Sequence, residues 1–251
     1  MSDELLVNRE NGVLTLTFNR PDRLNALSAE MVAGITDEIE RSEDRVIVIT
    51  GAGRAFCTGA DVAGLDPTRV EQVVDAANRL ITAVLSTPRP VVAAVNGPAA
   101  GVGCSLALSA DFTIAHESAY FLLSFANIGL MPDGGATEIV AASIGRVRAV
   151  RMAMLAERIS APVAAEIGLI HKSLDGGAYD EELCSLVAKL ASGPTASYGR
   201  SKVAINSSTL SGLEQAFARE REGQIALMQT ADFVEGVNGF LQKRPATFLG
   251  R

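Results

Sequence analysis

Two glycine-rich segments of this chain have residue types suited to binding an anion with backbone alone. The first is Ala55-Phe56-Cys57-Thr58-Gly59-Ala60-Asp61-Val62, and the second is Asn96-Gly97-Pro98-Ala99-Ala100-Gly101-Val102-Gly103-Cys104. Each follows an apolar, β-branched run, so each predicts a turn at the end of a buried strand, with N–H groups little covered by side chains. Two such N–H groups converging on one carbonyl oxygen stabilise the charge of an enolate, such as that of a thioester. One good donor of this kind is worth about 3 kcal/mol in a transition state. The second turn opens into a helix, and the Val102 N–H then lies at a helix N-terminus, where orphan donors and the helix dipole favour negative charge. Glycine-rich turns of this sort also serve close packing alone. Neither segment has the G-x-x-x-x-G-K-S/T spacing of a phosphate loop.

These turns need strands behind them, and the pattern supplies strands. Residues 5–9 and 13–18 alternate about Asn11-Gly12 and predict a hairpin. Ser28 predicts the cap of a helix that carries Met31, Ile35 and Ile39 on one face. Val46–Thr50 and Val91–Val95 are wholly apolar runs that predict buried strands, and Phe112–Ala115 predicts a third. Between them, Val70 to Leu85 has helical spacing over about four turns and ends before Pro88 and Pro90. A small-residue helix is expected from about Gly101 to Ala110. Strand, turn and helix repeat in order, which predicts a largely parallel α/β core with right-handed crossovers. From Gly134 onward the signals are mostly helical, over 134–144, 147–156, 162–168, 180–191, 194–206, 212–229 and 231–241. A C-terminal helical region without its own sheet packs on the core or on a neighbouring subunit.

Composition narrows the function. The chain has 251 residues, 48% of them hydrophobic and 20% charged, with a net charge of −7. That suits one substantial core in a soluble protein and gives no surface for nucleic acid. No apolar run approaches the roughly 20 residues needed to cross a bilayer. The acidic start, Met1-Ser2-Asp3-Glu4, is unlike a signal peptide, and a reducing cytoplasm is expected. Three cysteines without C-x-x-C spacing support neither zinc nor a disulfide framework, and no metal is expected. Cys57 and Cys104 read as small residues that fit tight turns, because no histidine is placed to activate them. His116 and His171 read as surface or loop histidines.

The sequence resembles the crotonase, or enoyl-CoA hydratase/isomerase, superfamily over nearly its whole length. The residues that carry the resemblance are Asn19-Arg20-Pro21 with Asn25-Ala26-Leu27, Gly51 to Val62, Ala94 to Cys104, Ile128-Gly129-Leu130 with Pro132, Arg158 to Ala161, and Phe240 to Arg244. The resemblance implies a spiral of ββα units over residues 1–195 and a helical trimerisation region over 196–251, in a homotrimer or dimer of trimers. It implies that the N–H groups of Ala60 and Val102 bind the acyl-thioester oxygen, with Gly101 shaping the second turn. It implies that Asp22, Arg23 and Leu24, together with Ala60, Asp61 and Val62, lie along coenzyme A. It implies that Phe240 and Lys243 reach the coenzyme A of an adjacent subunit. No separate cofactor is expected, because coenzyme A enters as part of the substrate.

Family members that hydrate a double bond hold water with two carboxylates. Here the matching positions are Ser105 and Phe125, neither of which serves as a general base unaided. Asp133, four residues after Gly129, matches the single acid of members that shift double bonds. The pattern is especially similar to ring-opening isomerases of phenylacetate breakdown and to Δ3,Δ2-enoyl-CoA isomerases. One carboxyl can take a proton from one carbon and return it two carbons away. Phe125, Leu130 and Met131 are expected to desolvate Asp133 and raise its pKa. The plainer role for Asp133 is to cap the helix that starts near Gly134. Phe56, Phe121, Leu122, Leu123 and Phe125 are expected to line the acyl site. An acyl-CoA isomerase is thus the first expectation. A fatty-acid β-oxidation hydratase and a non-catalytic acyl-CoA binder are the alternatives.

Overall fold

A computed structural model describes residues 3–61 and 69–251. The hairpin forms as β1 (Leu5–Glu10) and β2 (Val13–Phe18), which pair antiparallel. Its turn residues Asn11 and Gly12 both have positive φ, 53° and 76°, the combination that a two-residue hairpin with native twist requires. Parallel strands follow: β3 (Val46–Gly51) beside β2, then β4 (Val91–Val95). Two short strands, β5 (Ala99–Ala100) and β7 (Tyr120–Leu122), lie apart from that sheet. They pair with each other and with β8 (Ile159–Ser160) in a second sheet of three strands. The main sheet is completed by β6 (Phe112–His116) and β9 (Lys172–Leu174), giving the order β1-β2-β3-β4-β6-β9.

The central strands are apolar on both faces because both faces are covered. Ile47, Ile49, Val91, Ala93 and Val95 point into the main core. That core is closed by α1 (Ala29–Arg41) and α2 (Val70–Ser86). The alternate residues Val46, Val48, Val92 and Ala94 meet Leu186, Val187 and Leu190. Those leucines and valine lie on α6 (Gly176–Ser192), which follows the short helix α5 (Ala161–Glu166). Ser28 caps α1 as expected, its Oγ accepting from the Met31 N–H at 3.2 Å, a contact worth about 1 kcal/mol. Asp175 caps α6 in the same way and starts it four residues before the expected position 180.

Between α2 and α6 lie α3 (Val102–Ser109) and α4 (Ala136–Leu155). The expected gap between helices 134–144 and 147–156 appears as a break inside α4, where Gly145 has φ 79° and ψ 160°. Three further helices end the chain: α7 (Thr195–Thr209), α8 (Leu213–Leu227) and α9 (Ala231–Leu241). The first two are anchored to the core by buried polar contacts, and α9 packs through Phe233. On α7, the Lys202 ammonium donates to the Val84 carbonyl at 2.6 Å and to Asp111 Oδ2 at 2.8 Å. On α8, Glu220 and Gln224 are fully buried and reach the segment that precedes α4. No helix among the described residues is long and apolar enough to cross a membrane.

Candidate active site

The two glycine-rich turns meet. The Ala100 N–H donates to the Cys57 carbonyl at 2.8 Å, and the N–H groups of Phe56 and Cys57 both reach the Pro98 carbonyl at 3.1 Å. Gly103 makes this approach possible, since a Cβ there would lie 2.5 Å from the Cys57 carbonyl oxygen and 2.6 Å from its sulfur. Gly101 has φ 54° and ψ −136°, a conformation open in practice to glycine, and it sends the chain directly into α3 at Val102. The Val102 N–H is therefore the first of the helix and has no intrahelical acceptor. Ala60 is set by a bridge to Leu27. The Leu27 N–H donates to the Gly59 carbonyl at 2.8 Å and the Asp61 N–H to the Leu27 carbonyl at 3.1 Å, which leaves the Ala60 N–H outside the bridge. Among the described residues neither N–H has an acceptor. A Cβ on Gly59 would be 3.5 Å from the Val102 nitrogen. Ala60 and Val102 both line one cavity of about 420 Å³.

The wall of that cavity differs from the expectation. Phe56, Phe121 and Leu123 pack inside the core, Phe125 is buried there too, and Leu122 belongs to the small sheet. The apolar lining comes instead from Leu27 and Val32 on the α1 side and from Val73, Ala77 and Leu80 of α2. Asp61 and Arg69 give it a polar edge. Small and branched residues at helical spacing look alike whether they face a core or a cavity, so the sequence could not assign them.

Asp22, Arg23 and Leu24 form a single turn beside this edge, with Leu24 at φ 51°. Asn25 holds the turn: it is fully buried, accepts from the Arg20 N–H at 2.9 Å and donates to the carbonyls of Ala52 and Ala55 at 2.9 and 2.7 Å. Asp61 accepts from Arg20 and Arg23, both at 2.9 Å. Burial pushes its carboxyl up, but the two guanidiniums outweigh burial and hold it below its ordinary value. Val62 lies outside the described residues. Phe240, 61% exposed, lies in the last turn of α9 and the exposed Lys243 just past its end, and neither is among the residues lining the cavity.

Asp133 is 9% exposed and does not line the cavity. It lies beyond Val102, one helical turn further along α3, where the Ser105 hydroxyl donates to the Asp133 carbonyl at 2.9 Å. Its carboxyl is not a helix cap. The start of α4 is capped from α8: Glu220 accepts from the Gly135 N–H at 2.7 Å, the Thr137 N–H at 2.9 Å and the Thr137 hydroxyl at 2.6 Å. That frees the Asp133 side chain, whose Oδ2 accepts from Gln224 Nε2 at 3.0 Å and whose buried Oδ1 has no partner. Burial, helped by the charge of nearby Glu220 and opposed by the Gln224 donor, pushes its pKa up to about 7. Asp133 is desolvated by its own burial; of the three residues expected to cause this, Phe125 and Leu130 are buried and Met131 is partly exposed. Glu220 and Gln224 are functional candidates that the sequence reading missed. Their signal was two large polar residues four apart, hence on one helix face, in a helix with a weak apolar stripe.

The remaining candidates fall into place around this centre. Burial pushes the Cys57 and Cys104 thiols up to about 12, so both are inert. His116 bonds Ser118, and His171 accepts from the Thr113 N–H at 3.2 Å. Ser105 and Phe125 bring no carboxyl to the site.

The chain matches the family described as enoyl-CoA hydratase/isomerase over residues 8–251. It is 42% identical to a protein from Rhodobacter capsulatus named probable enoyl-CoA hydratase, over 96% of this chain and 95% of that one. It is 38% identical to the 1,2-epoxyphenylacetyl-CoA isomerase of Escherichia coli, over the full length of both. A crystal structure of an enoyl-CoA hydratase from Mycobacterium avium subsp. paratuberculosis superposes with a TM-score of 0.92 at 42% identity, over 98% of each chain.

Proposed function

This chain belongs to the enoyl-CoA hydratase/isomerase family, and within that family we propose that it is an acyl-CoA isomerase that shifts a double bond. The substrate is a 3-enoyl-CoA, converted to the 2-enoyl-CoA, or a ring-derived acyl-CoA. The thioester oxygen accepts hydrogen bonds from the N–H groups of Ala60 and Val102. The acyl group runs past Val102 between α2 and α3 toward Asp133, whose carboxylate removes a proton from C2. The dienolate that forms carries its charge on the thioester oxygen, where the two N–H groups are strongest. The carboxyl then returns the proton to C4, so atoms and charge balance with no water consumed.

One observation carries this reading. Asp133, one helical turn beyond Val102 and behind the cavity lining, is a buried carboxyl with one unpartnered oxygen and a pKa of about 7, near which general bases work best. The positions at which hydration calls for carboxylates hold Ser105 and Phe125. The isomerase name of the Escherichia coli relative agrees with it. Arg23 and Arg69, beside the cavity edge, offer charge for coenzyme A phosphates. Phe240 and Lys243 would serve a neighbouring subunit in a homotrimer or dimer of trimers. Exposed Val147, Met154 and Leu155 of α4, with Phe240 and Leu241 of α9, give such an assembly apolar surface.

Purified protein offered a short panel of 2-enoyl and 3-enoyl thioesters tests the proposal. Interconversion of the two enoyl isomers is expected, and Asp133→Asn should abolish it while thioester binding survives. Rapid formation of 3-hydroxyacyl-CoA would make the protein a hydratase. Tight binding with no turnover of any thioester would make it a binder.

A further inference from the structure

Gln224 and Glu220 of α8 face Asp133 from the C-terminal part of the chain, and neither is explained by packing alone. Both are fully buried, although a buried amide or carboxylate without a compensating partner is costly. Gln224 donates through one nitrogen to two acceptors, the Met131 carbonyl at 2.7 Å and Asp133 Oδ2 at 3.0 Å. Its own Oε1 is buried with no partner. The Met131 carbonyl can only accept, so it fixes which end of the Gln224 amide points this way. An amide so fixed presents N–H, never an oxygen, to Asp133.

That has a consequence for where a proton can sit. An Oδ2 that receives an N–H cannot also carry the acidic hydrogen toward the same donor. The Gln224 donor thereby biases the labile proton of Asp133 toward Oδ1, the oxygen that is buried and unpartnered. The backbone beneath it is pinned by the Ser105 hydroxyl from α3. On the α2 side the neighbour is apolar: a Cβ on Gly134 would sit 3.3 Å from Ile81. The charged group that faces Asp133 is Glu220. Burial pushes its pKa up, and the three donors from the start of α4 that occupy its two oxygens oppose that shift and favour its charged form.

We propose that Gln224 and Glu220 are positioning residues for the isomerisation: Gln224 clamps Asp133 so that Oδ1 exchanges the proton, and Glu220, bound to Gly135 and Thr137, fixes the backbone that follows Asp133 and sets a negative charge beside it. This rests on Asp133 as the proton carrier. It makes α8 part of the catalytic apparatus, in addition to whatever it does for assembly. The two residues act in opposite senses. Removing Gln224's donor destabilises the carboxylate and moves its titration to higher pH. Removing Glu220's charge stabilises the carboxylate and moves the titration to lower pH.

The experiment is a carbon-13 NMR titration of the full-length protein with labelled aspartate, the Asp133 signal being the one lost in Asp133→Asn. It needs no turnover, so it stands even if the isomerase reading fails. Gln224→Leu should shift the midpoint up by roughly one pH unit and Glu220→Gln should shift it down by a similar amount. The pH profile of kcat should follow in the same directions, with kcat for Gln224→Leu lowered roughly tenfold to a hundredfold and KM little changed. Arg221→Ala, next door on α8, removes contacts of α8 to Glu71 and Asp75 of α2 and should leave the midpoint in place. Glu220 also caps α4, so Glu220→Gln can lose stability, and Gln224→Leu decides the matter if it does. A midpoint unmoved in Gln224→Leu, or moved equally in Arg221→Ala, would overturn the proposal. Shifted midpoints in a protein that isomerises nothing would leave the clamp standing and remove the catalytic role of Asp133.

Discussion

Asp133→Asn should gain stability relative to the wild-type protein as pH rises. The ordinary carboxyl value of 3.8 applies to the unfolded chain and about 7 to the folded one. Because the folded value is raised, the native state gains from protonation. That gain is complete below 3.8 and is lost as pH climbs through about 7. Each pKa unit is worth about 1.4 kcal/mol, so at pH 8 the ionised carboxyl costs the native state roughly 4 kcal/mol. At pH 5 the native group is still protonated and the cost is nearer 1–2 kcal/mol, by the same linkage. Asparagine carries no charge and escapes both. It does leave an N–H₂ where Oδ1 was unpartnered, a penalty of about 1–3 kcal/mol that does not change with pH. The telling quantity is therefore the widening of the gap between variant and wild type from pH 5 to pH 8, about 2–3 kcal/mol. Urea unfolding of both proteins at the two pH values, at one fixed protein concentration, measures it. A gap that stays constant would refute the buried, elevated carboxyl on which the account rests.

Other consequences follow from contacts further out. Lys202→Met strands the Asp111 carboxylate, half of a buried pair at 2.8 Å, and should cost about 3–5 kcal/mol by urea unfolding, part of it recovered when Asp111→Leu is added. A loss under about 1 kcal/mol would show that the pair does not anchor α7. Gly103→Ala pushes a Cβ against the Cys57 carbonyl, and should cost about 1–3 kcal/mol and lower kcat more than it weakens thioester binding. Unchanged turnover would show that the two turns need not touch. Iodoacetamide at pH 8 should add one label per native chain, at exposed Cys184, because the Cys57 and Cys104 thiols titrate near 12. Intact mass measurement showing more than one label would contradict that burial.

The parts of the fold that speak through long-range hydrophobic pattern were legible. β2 and helices α1 and α2 bury apolar residues at periods of two and 3.6, β3 and β4 are unbroken apolar runs buried on both faces, and the sequence announces all of these. The strands β5, β7, β8 and β9, of two or three residues each, hold too few positions to show a period. They exist because partner strands arrive from distant segments. The two turns were legible because glycine at 59, 101 and 103 leaves few other uses. Asp133 was identified from resemblance, and its burial from Phe125 and Leu130 nearby in the chain. Its real surroundings, Glu220 and Gln224, lie some ninety residues away, and Gln224 contacts Asp133 at a separation of 91. A cap supplied from another helix leaves no local mark, which is why the start of α4 suggested that Asp133 capped it. Val73 and Ala77 fall in the helical apolar pattern of 70–85 and carry no mark of the cavity they line, since a cavity wall and a core share one apolar pattern.

The central claim is that one carboxyl oxygen carries hydrogen from one carbon of the acyl group to another. A 3-enoyl-CoA deuterated at C2, converted by the wild-type protein in ordinary water and read by NMR of the 2-enoyl product, tests it directly. Deuterium at C4 is the expected result, because a buried Oδ1 returns what it took before solvent can replace it. Hydrogen at C4 drawn wholly from solvent, or a hydroxylated product, would contradict the account.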